Sequence, residues 1–197
     1  LDEQRDLVDK YRVRDWIREK VGEEYLIPLL GVWDRFDEID FDKLPDRFVL
    51  KTNHGAGWNY IVQDKSKLDK ADAKAKFDLW TKLNFTYYQG GLELQYEHIQ
   101  PKIIAEQFIE NDGGDLYDYK LCCFDGEPKV IIYIMNRYVD ADERIICFDT
   151  DWNVLPFNLF TPLEQPDDIP RPKNLEKMVE VARTLSQGIP FVRVDLY

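Results

Sequence analysis

The feature that most constrains the fold is a pair of strand-like runs separated by an Asp-Gly dipeptide. Residues 117–124 (YDYKLCCF) and 129–135 (KVIIYIM) flank the segment DGEP. Together the two runs are rich in aromatic and β-branched residues, which favour strands. Asp125-Gly126 accepts the positive φ angles of a tight hairpin turn. The chain is therefore expected to contain an antiparallel sheet built on this hairpin.

The remaining segments alternate between helical and strand-like patterns, which predicts an α+β fold. FVL, ending at Lys51, and NYIVQD are expected to form a second hairpin, and KIIAEQFI, RIICFD and FVRVDLY are further expected strands. Helices are expected around Leu7 to Ile17 and from Leu175 to near Gly188. A third helix is expected after Ser66, which has capping-box spacing to Asp69. Its predicted apolar face consists of Leu68, Ala71, Ala75, Leu79 and Leu83.

Composition excludes several classes of protein. The 197 residues carry 38 acidic against 26 basic side chains, a net charge of -12, and no dense basic stripe, so nucleic acid is not an expected partner. The longest apolar run, VIIYIM, is far shorter than the roughly 20 residues of a membrane span. Three cysteines without CxxC spacing support neither a disulfide framework nor a zinc site. A reducing, cytoplasmic location is expected.

Lys51 ends an apolar run and is followed at once by a loop of small residues. Gly55, Ala56 and Gly57 lack bulky side chains, so their backbone N–H groups can approach a polyphosphate while the lysine adds a point charge. This pattern is typical of a phosphate clamp, although a surface hairpin with a solvated lysine fits the same residues. The loop is not a Walker A sequence, because GxxxxGK[ST] is absent.

Five segments, taken in order, extend this interpretation. They are LPDRFVLKTNHGAGWNYIVQDKSKLD, AEQFIE, DLYDYKLCCFDGEPKVI, CFDTDW and RPKNLEKMVEVARTLSQGIPFVRVDLY. Together they resemble the TupA-like ATP-grasp family, which is associated with teichuronopeptide and capsular polysaccharide biosynthesis. The resemblance covers about residues 24–197. It implies an ATP-grasp fold of two α+β lobes with a nucleotide cleft between them.

The resemblance also implies an organisation along the chain. It comprises an N-terminal segment of residues 1–44, a small lobe of residues 45–105 with the glycine loop, and a large lobe of residues 106–197. In the family pattern a further strand follows and brings a second acidic metal ligand. Because the sequence stops at Tyr197, the chain is expected to be truncated at its C-terminus.

In the small lobe, the resemblance assigns ATP-binding roles to several residues. Lys51 would contact the phosphates, and His54, Gly55 and Gly57 would form a loop closing over the γ-phosphate. The segment Glu106, Gln107, Phe108 and Ile109 resembles the hinge whose backbone groups read adenine. An ordinary core strand is the alternative for that segment.

In the large lobe, the implied residues serve ribose, metal and phosphoryl transfer. Asp118 would meet the ribose, and Lys120, which replaces the family's arginine, would lie near the phosphates. Arg137 resembles an arginine that stabilises the transferred phosphoryl group, with an exposed strand-end arginine as the alternative. Arg193 would neutralise the same charge, and Asp195 would hold Mg²⁺; the two share one strand face, and a structural ion pair is their alternative.

The implied function is an ATP- and Mg²⁺-dependent ligase that couples a carboxylate to an amine through an acyl-phosphate. Its expected partners are a small-molecule carboxylate and an amine or sugar acceptor. Two other classes stay open: a nucleotide-binding module without turnover, and a glycosyltransferase. For the last, DTD at Asp149 to Asp151 is the only match to a metal motif, and Trp152 could stack on a sugar or anchor a turn.

Overall fold

The computed structural model describes residues 2–90, 92–110, 117–135, 143–158 and 169–197. The chain forms two compact units, Leu1–Ile109 and Glu110–Tyr197. Within these described ranges, each unit contains one four-stranded antiparallel sheet. These sheets and their helices confirm the predicted α+β class.

The first unit builds its sheet from strands that are distant in sequence. In chain order it contains α1 (Asp2–Val8), α2 (Val13–Lys20), β1 (Leu29–Trp33), β2 (Phe48–Thr52), β3 (Asn59–Val62), α3 (Lys70–Trp80) and β4 (Ile103–Gln107), with short 3-10 turns between them. The strand order is β1-β4-β2-β3. Segments 1–44 and 45–105 therefore contribute strands to the same sheet, and the unit ends at Ile109.

The core of the first unit lies on one face of this sheet. Phe48 and Leu50 of β2 are fully buried and pack with Phe36, Phe41 and Phe77. Side chains alternate along a strand, so Lys51 lies on the opposite face. Glu106 shares that face, because it pairs with Val49 in the register of β2 and β4. The fold thus separates an apolar core from a face that carries charged groups.

Helix α3 begins later and buries a different face than the sequence predicts. Asp69 caps it, accepting hydrogen bonds from the backbone N–H groups of Ala71 at 3.0 Å and Asp72 at 2.9 Å. Its buried residues are Ala73 and Phe77, whereas Leu79 is 55% exposed. The predicted apolar face was wrong, because the large Phe77 directs the helix toward the aromatic core.

The opening helix is also interrupted. Asp9 is buried, and its carboxylate accepts hydrogen bonds from the backbone N–H groups of Tyr11 and Arg12. These bonds stabilise a turn between α1 and α2, so the predicted single helix is two. A short polar side chain competes in this way with helical hydrogen bonding.

The second unit is built on the hairpin predicted first. It contains β5 (Asp118–Phe124), β6 (Glu127–Met135), β7 (Arg144–Phe148), α4 (Leu175–Ser186) and β8 (Phe191–Leu196), in the strand order β7-β6-β5-β8. Asp125 and Gly126 have φ angles of 50° and 83°, which confirms the turn. Helix α4 packs on one sheet face, where the Cys123 thiol donates to the Ala182 carbonyl at 3.8 Å.

The opposite face of the second sheet combines an apolar cluster with charged groups. Ile132, Ile134, Ile145 and Cys147 form the apolar cluster. Lys120 lies directly opposite Asp195 in the pairing of β5 and β8, and Cys122 lies opposite Arg193. Residues opposite one another in a sheet share a face, so Lys120, Arg193 and Asp195 lie together. Among the described residues, no helix has the length and apolar character to cross a membrane.

Candidate functional site

Lys51 belongs to a buried cluster of charged side chains in the first unit. Its ammonium nitrogen lies 2.5 Å from Oε2 of Glu106, and Nη1 of Arg14 lies 3.1 Å from Oε1 of the same carboxylate. The side chains of Arg14 and Glu106 are less than one-tenth exposed, whereas that of Lys51 is 22% exposed. Glu106 therefore holds the predicted lysine in place, and the exposed fraction of the Lys51 side chain can contact a ligand.

Lys10 is a second cation at this place that the sequence did not predict. Its ammonium group donates a hydrogen bond to the carbonyl oxygen of Gly55, the first glycine of the loop. Burial, followed by the charge of Lys51, lowers the pKa of Lys10 to about 8, while Asp9 and Glu106 act in the opposite direction. Because Lys10 is 45 residues from Gly55, no local motif could have joined them.

Asn53 explains how the chain places Lys10 beside the loop. Its Nδ2 donates to Oδ1 of Asp9 at 3.1 Å, and its Oδ1 accepts from the backbone N–H of Lys102 at 2.7 Å. The backbone N–H of Lys10 also donates to the Asn53 carbonyl. This buried amide therefore fixes the turn before α2 to the start of β4.

The glycine loop is less open than the sequence suggests. A Cβ atom at Gly55 would lie 2.4 Å from the ring of Trp58, whereas Gly57 has open space and a φ of +73°. His54 is only 3% exposed, and its Nε2 lies 3.2 Å from the Trp80 carbonyl oxygen. Burial lowers the pKa of His54. The imidazole packs inside the unit, so the exposed part of the loop is Ala56 and Gly57.

The chemistry of this cluster fits a polyphosphate. Three cations, Lys10, Arg14 and Lys51, adjoin two carboxylates, Asp9 and Glu106. An excess of buried positive charge favours an anion, because low dielectric strengthens the attraction. The loop adds backbone without side-chain bulk.

The predicted hinge combines strand residues with a packed aromatic. Glu106 and Gln107 end β4, and Phe108 and Ile109 follow as the last residues of the first unit. The backbone N–H of Gln107 donates to the Pro28 carbonyl at 3.0 Å, so it is already engaged. The guanidinium of Arg47 lies 4.4 Å from the ring centre of Phe108, a cation–π contact that fixes this ring.

A second charged cluster lies on the sheet of the second unit. Lys120 contacts Oδ2 of Asp118 at 2.7 Å and Oδ2 of Asp195 at 3.0 Å. Arg193 binds both oxygens of Asp195, at 2.7 and 2.9 Å. The structure thus brings four predicted residues together and forms the ion pair that was the alternative for Arg193 and Asp195. Asp118 is 1% exposed and forms an ion pair with Lys120.

Asp195 is the residue for which the family resemblance implies a metal-binding role. Burial alone would raise its pKa, but the hydrogen bonds and charge of Arg193, followed by Lys120, hold that pKa below its usual value. Its side chain is 32% exposed. Mg²⁺ commonly takes one or two carboxylates and completes its shell with phosphates and water. Asp195 has the chemistry of such a ligand, but both of its oxygens already contact Arg193, and Oδ2 also contacts Lys120. Among the described residues, no three His, Cys, Asp or Glu side chains cluster as a metal site.

Arg137 lies outside the described residues. The predicted segment from Asp149 to Trp152 is described and forms a turn. Asp149 accepts hydrogen bonds from the backbone N–H groups of Asp151 and Asn153 at 2.9 and 2.8 Å, which makes it the organiser of a tight turn. Trp152 stacks on Phe148 with ring centres 4.0 Å apart. The segment is therefore a turn with an aromatic anchor, and a metal motif is not needed to explain it.

Comparisons with known proteins identify the family. The model of the TupA-like ATPgrasp family matches residues 1–197. No curated protein matches the chain. Two solved structures of the ATP-grasp ligase PsnB are similar to it. One, complexed with minimal precursor, Mg and ADP, is 13% identical with a TM-score of 0.43, covering 98% of this chain and 46% of PsnB.

The other PsnB structure, complexed with minimal precursor, is 12% identical with a TM-score of 0.45, covering 98% of this chain and 48% of PsnB. This chain spans about half the length of those proteins. The family match extends over every residue of the chain. The chain belongs to the TupA-like ATPgrasp family.

Proposed function

We propose that this chain binds ATP and acts as an ATP-dependent ligase that joins a carboxylate to an amine. The observation that carries the proposal is the cationic cluster beside the glycine loop, in a chain of an ATP-grasp family. Lys51 and Lys10 would contact the phosphates, and the backbone of the exposed loop would approach them. Phe108 and Ile109 would lie at the adenine.

The second cluster supplies charge for the transfer step. Lys120 and Arg193 would neutralise negative charge on the transferring phosphoryl group, with Arg137 as a further predicted contributor. Asp195 would hold Mg²⁺, which would neutralise phosphate charge when bound. Asp118 would hold Lys120 in place and contact the ribose only if that ion pair opened.

The proposed reaction has two steps. A carboxylate oxygen of the first substrate attacks the γ-phosphorus of ATP, and ADP leaves, which gives an acyl-phosphate. The amine nitrogen then attacks the carbonyl carbon, the bond to phosphate breaks, and the proton lost by the amine passes to the released phosphate or to water. The chain's part is to position reactants and neutralise charge.

The proposed substrates follow from the family resemblance. The carboxylate would come from a uronic acid or an amino acid, and the amine from a small molecule or a sugar acceptor. The setting would be the assembly of a capsular or other cell-surface polysaccharide in the cytoplasm.

The first test is calorimetric titration of a non-hydrolysable ATP analogue with Mg²⁺. We expect Lys51→Ala to weaken binding about tenfold or more, because a charge-assisted contact is lost. Lys67→Ala is the control, since Lys67 is 82% exposed and pairs with Asp64 at the surface. Equal binding by wild type and Lys51→Ala would remove the phosphate role of Lys51.

The ligase step needs a separate measurement. Purified protein with ATP, Mg²⁺ and panels of uronic acids, amino acids and amines should release ADP and phosphate only when both substrates are present. Binding of the analogue without any turnover would favour the alternative of a non-catalytic nucleotide-binding module.

A further inference from the structure

Arg14 is a buried guanidinium that no sequence motif marked as functional. It lies on α2, and its side chain is 9% exposed. Nη1 contacts Oε1 of Glu106 at 3.1 Å, and Nη2 donates to the carbonyl of Ile27 at 2.6 Å. The two nitrogens of one planar fork therefore connect α2 with β4 and with the segment before β1. Such fork geometry is specific to arginine.

The partner carboxylate is shared between two cations. Oε1 of Glu106 faces Arg14, and Oε2 faces Lys51 at 2.5 Å. An ammonium paired with one buried carboxylate gives a neutral pair, which attracts an incoming anion weakly. Two cations and one carboxylate leave a net charge of +1 in these three groups. Arg14 thus supplies the excess charge without being the group that is open to a ligand.

We propose that Arg14 is a positioning residue for phosphate binding: by holding Glu106, it fixes the place of Lys51 and leaves the ammonium charge of Lys51 available to nucleotide phosphates. The inference rests on the proposed function, since it concerns the same cluster. Lys51 is 22% exposed and can contact a ligand, whereas Arg14 is 9% exposed and acts through the carboxylate that the two cations share. Without Arg14, Glu106 would neutralise Lys51 alone.

Arg14 is also connected to the predicted hinge through the backbone. Arg14 holds the Ile27 carbonyl, and the next residue, Pro28, accepts the N–H of Gln107. A purely structural role for Arg14 would therefore disturb every part of a bound nucleotide. If Arg14 acts through Lys51, its loss would weaken the binding of the phosphates selectively. The two roles of Arg14 can therefore be distinguished by experiment.

The test measures two ligands on Arg14→Met by calorimetry: a non-hydrolysable ATP analogue with Mg²⁺, and adenosine, which lacks phosphates. We expect affinity for the analogue to fall about tenfold or more, and affinity for adenosine to change less than about twofold. Arg18→Met is the matched control on the same helix, because Arg18 is 44% exposed and pairs at the surface with Asp15. We expect wild-type binding of both ligands by this control.

A double-mutant cycle isolates the route through Lys51. In a Lys51→Met background, Arg14→Met should cause no further loss of analogue affinity, because coupled residues are not additive. Arg14→Lys keeps the charge but loses the fork, so its loss should be intermediate. If Arg14→Met does not fold, Arg14→Lys carries the test in its place, and wild-type affinity for the analogue in that variant would overturn the inference.

Other outcomes separate this inference from the proposed function. Equal losses for the analogue and adenosine, or a full loss that persists in the Lys51→Met background, would overturn the role of Arg14 and leave nucleotide binding in place. Absence of analogue binding by folded wild-type protein would overturn both proposals.

Discussion

Lys10 is a residue whose charge depends on its burial and on its charged neighbours. Burial and the nearby Lys51 lower its pKa to about 8, so its charge is lost in mildly alkaline solution. If it contacts phosphate, affinity for an ATP analogue should fall as the pH rises through about 8, by up to about tenfold. Titrations across this range should show the step in wild type and a flat profile in Lys10→Met. The same step in both proteins would contradict the role of Lys10.

The same residue predicts how stability changes with pH. The ordinary pKa of lysine is 10.5, and the folded value is about 8. Between these values the unfolded chain binds more protons, so raising the pH stabilises the folded state. The contribution is on the order of 3 kcal/mol across the whole window. In urea unfolding, the free energy of unfolding of Lys10→Met should not show the rise with pH that wild type shows. An identical pH dependence in the two proteins would exclude a contribution from Lys10.

At the scale of elements, helix α3 offers a direct comparison between its buried and exposed faces. Phe77→Ala removes a fully buried ring from the aromatic core and should reduce the free energy of unfolding by about 3–5 kcal/mol. Leu79→Ala, on the exposed face, should cost less than about 1 kcal/mol. Chemical unfolding of the two variants measures this difference. Comparable losses would contradict the burial of Phe77 and the exposure of Leu79 in this structure.

The sequence predicted elements well wherever the signal was local. Both hairpins, the strand of β4 and helix α4 follow from composition and turn residues within short windows. The buried face of α3 was not predicted correctly. The regular spacing of alanines and leucines indicates one face, but the large ring of Phe77 gains more from burial and determines which face packs on the core. The break between α1 and α2 depends on Asp9, whose carboxylate is fixed by Asn53, 44 residues away.

The candidate site shows the same limit more strongly. Motifs shared with the family predict Lys51, Lys120, Arg193 and Asp195, and the structure places the last three in direct contact. Arg14 was not found, because its partner Glu106 is 92 residues away. Contacts over such distances depend on how helix α2 packs against the strand β4, which the sequence of either segment does not reveal.

At the scale of the whole molecule, the two units have separate sheets and separate buried clusters. We expect heat unfolding to depart from two-state behaviour, with a calorimetric enthalpy larger than the van't Hoff enthalpy. Phe77→Ala should lower the transition of the first unit selectively. Equal enthalpies and a single shifted transition would contradict this expectation.

The family expectation also belongs to this scale, and it is confirmed. Ordered motifs across most of the chain predicted an ATP-grasp family, and the family match covers all 197 residues. The fold class followed from many weak local signals that agree, whereas the individual contacts of the site needed the folded chain.

The facing positions of Lys120 and Asp195 in β5 and β8 have a consequence for folding errors. If β8 paired one residue out of place, Arg193 and Asp195 would turn toward the side occupied by Leu121 and Cys123, which are fully buried. Two charges would then lie among apolar side chains, and Lys120 would lose a partner. The ion pair of Lys120 and Asp195 therefore favours the correct register of the last strand, since only that register places the two charges opposite one another.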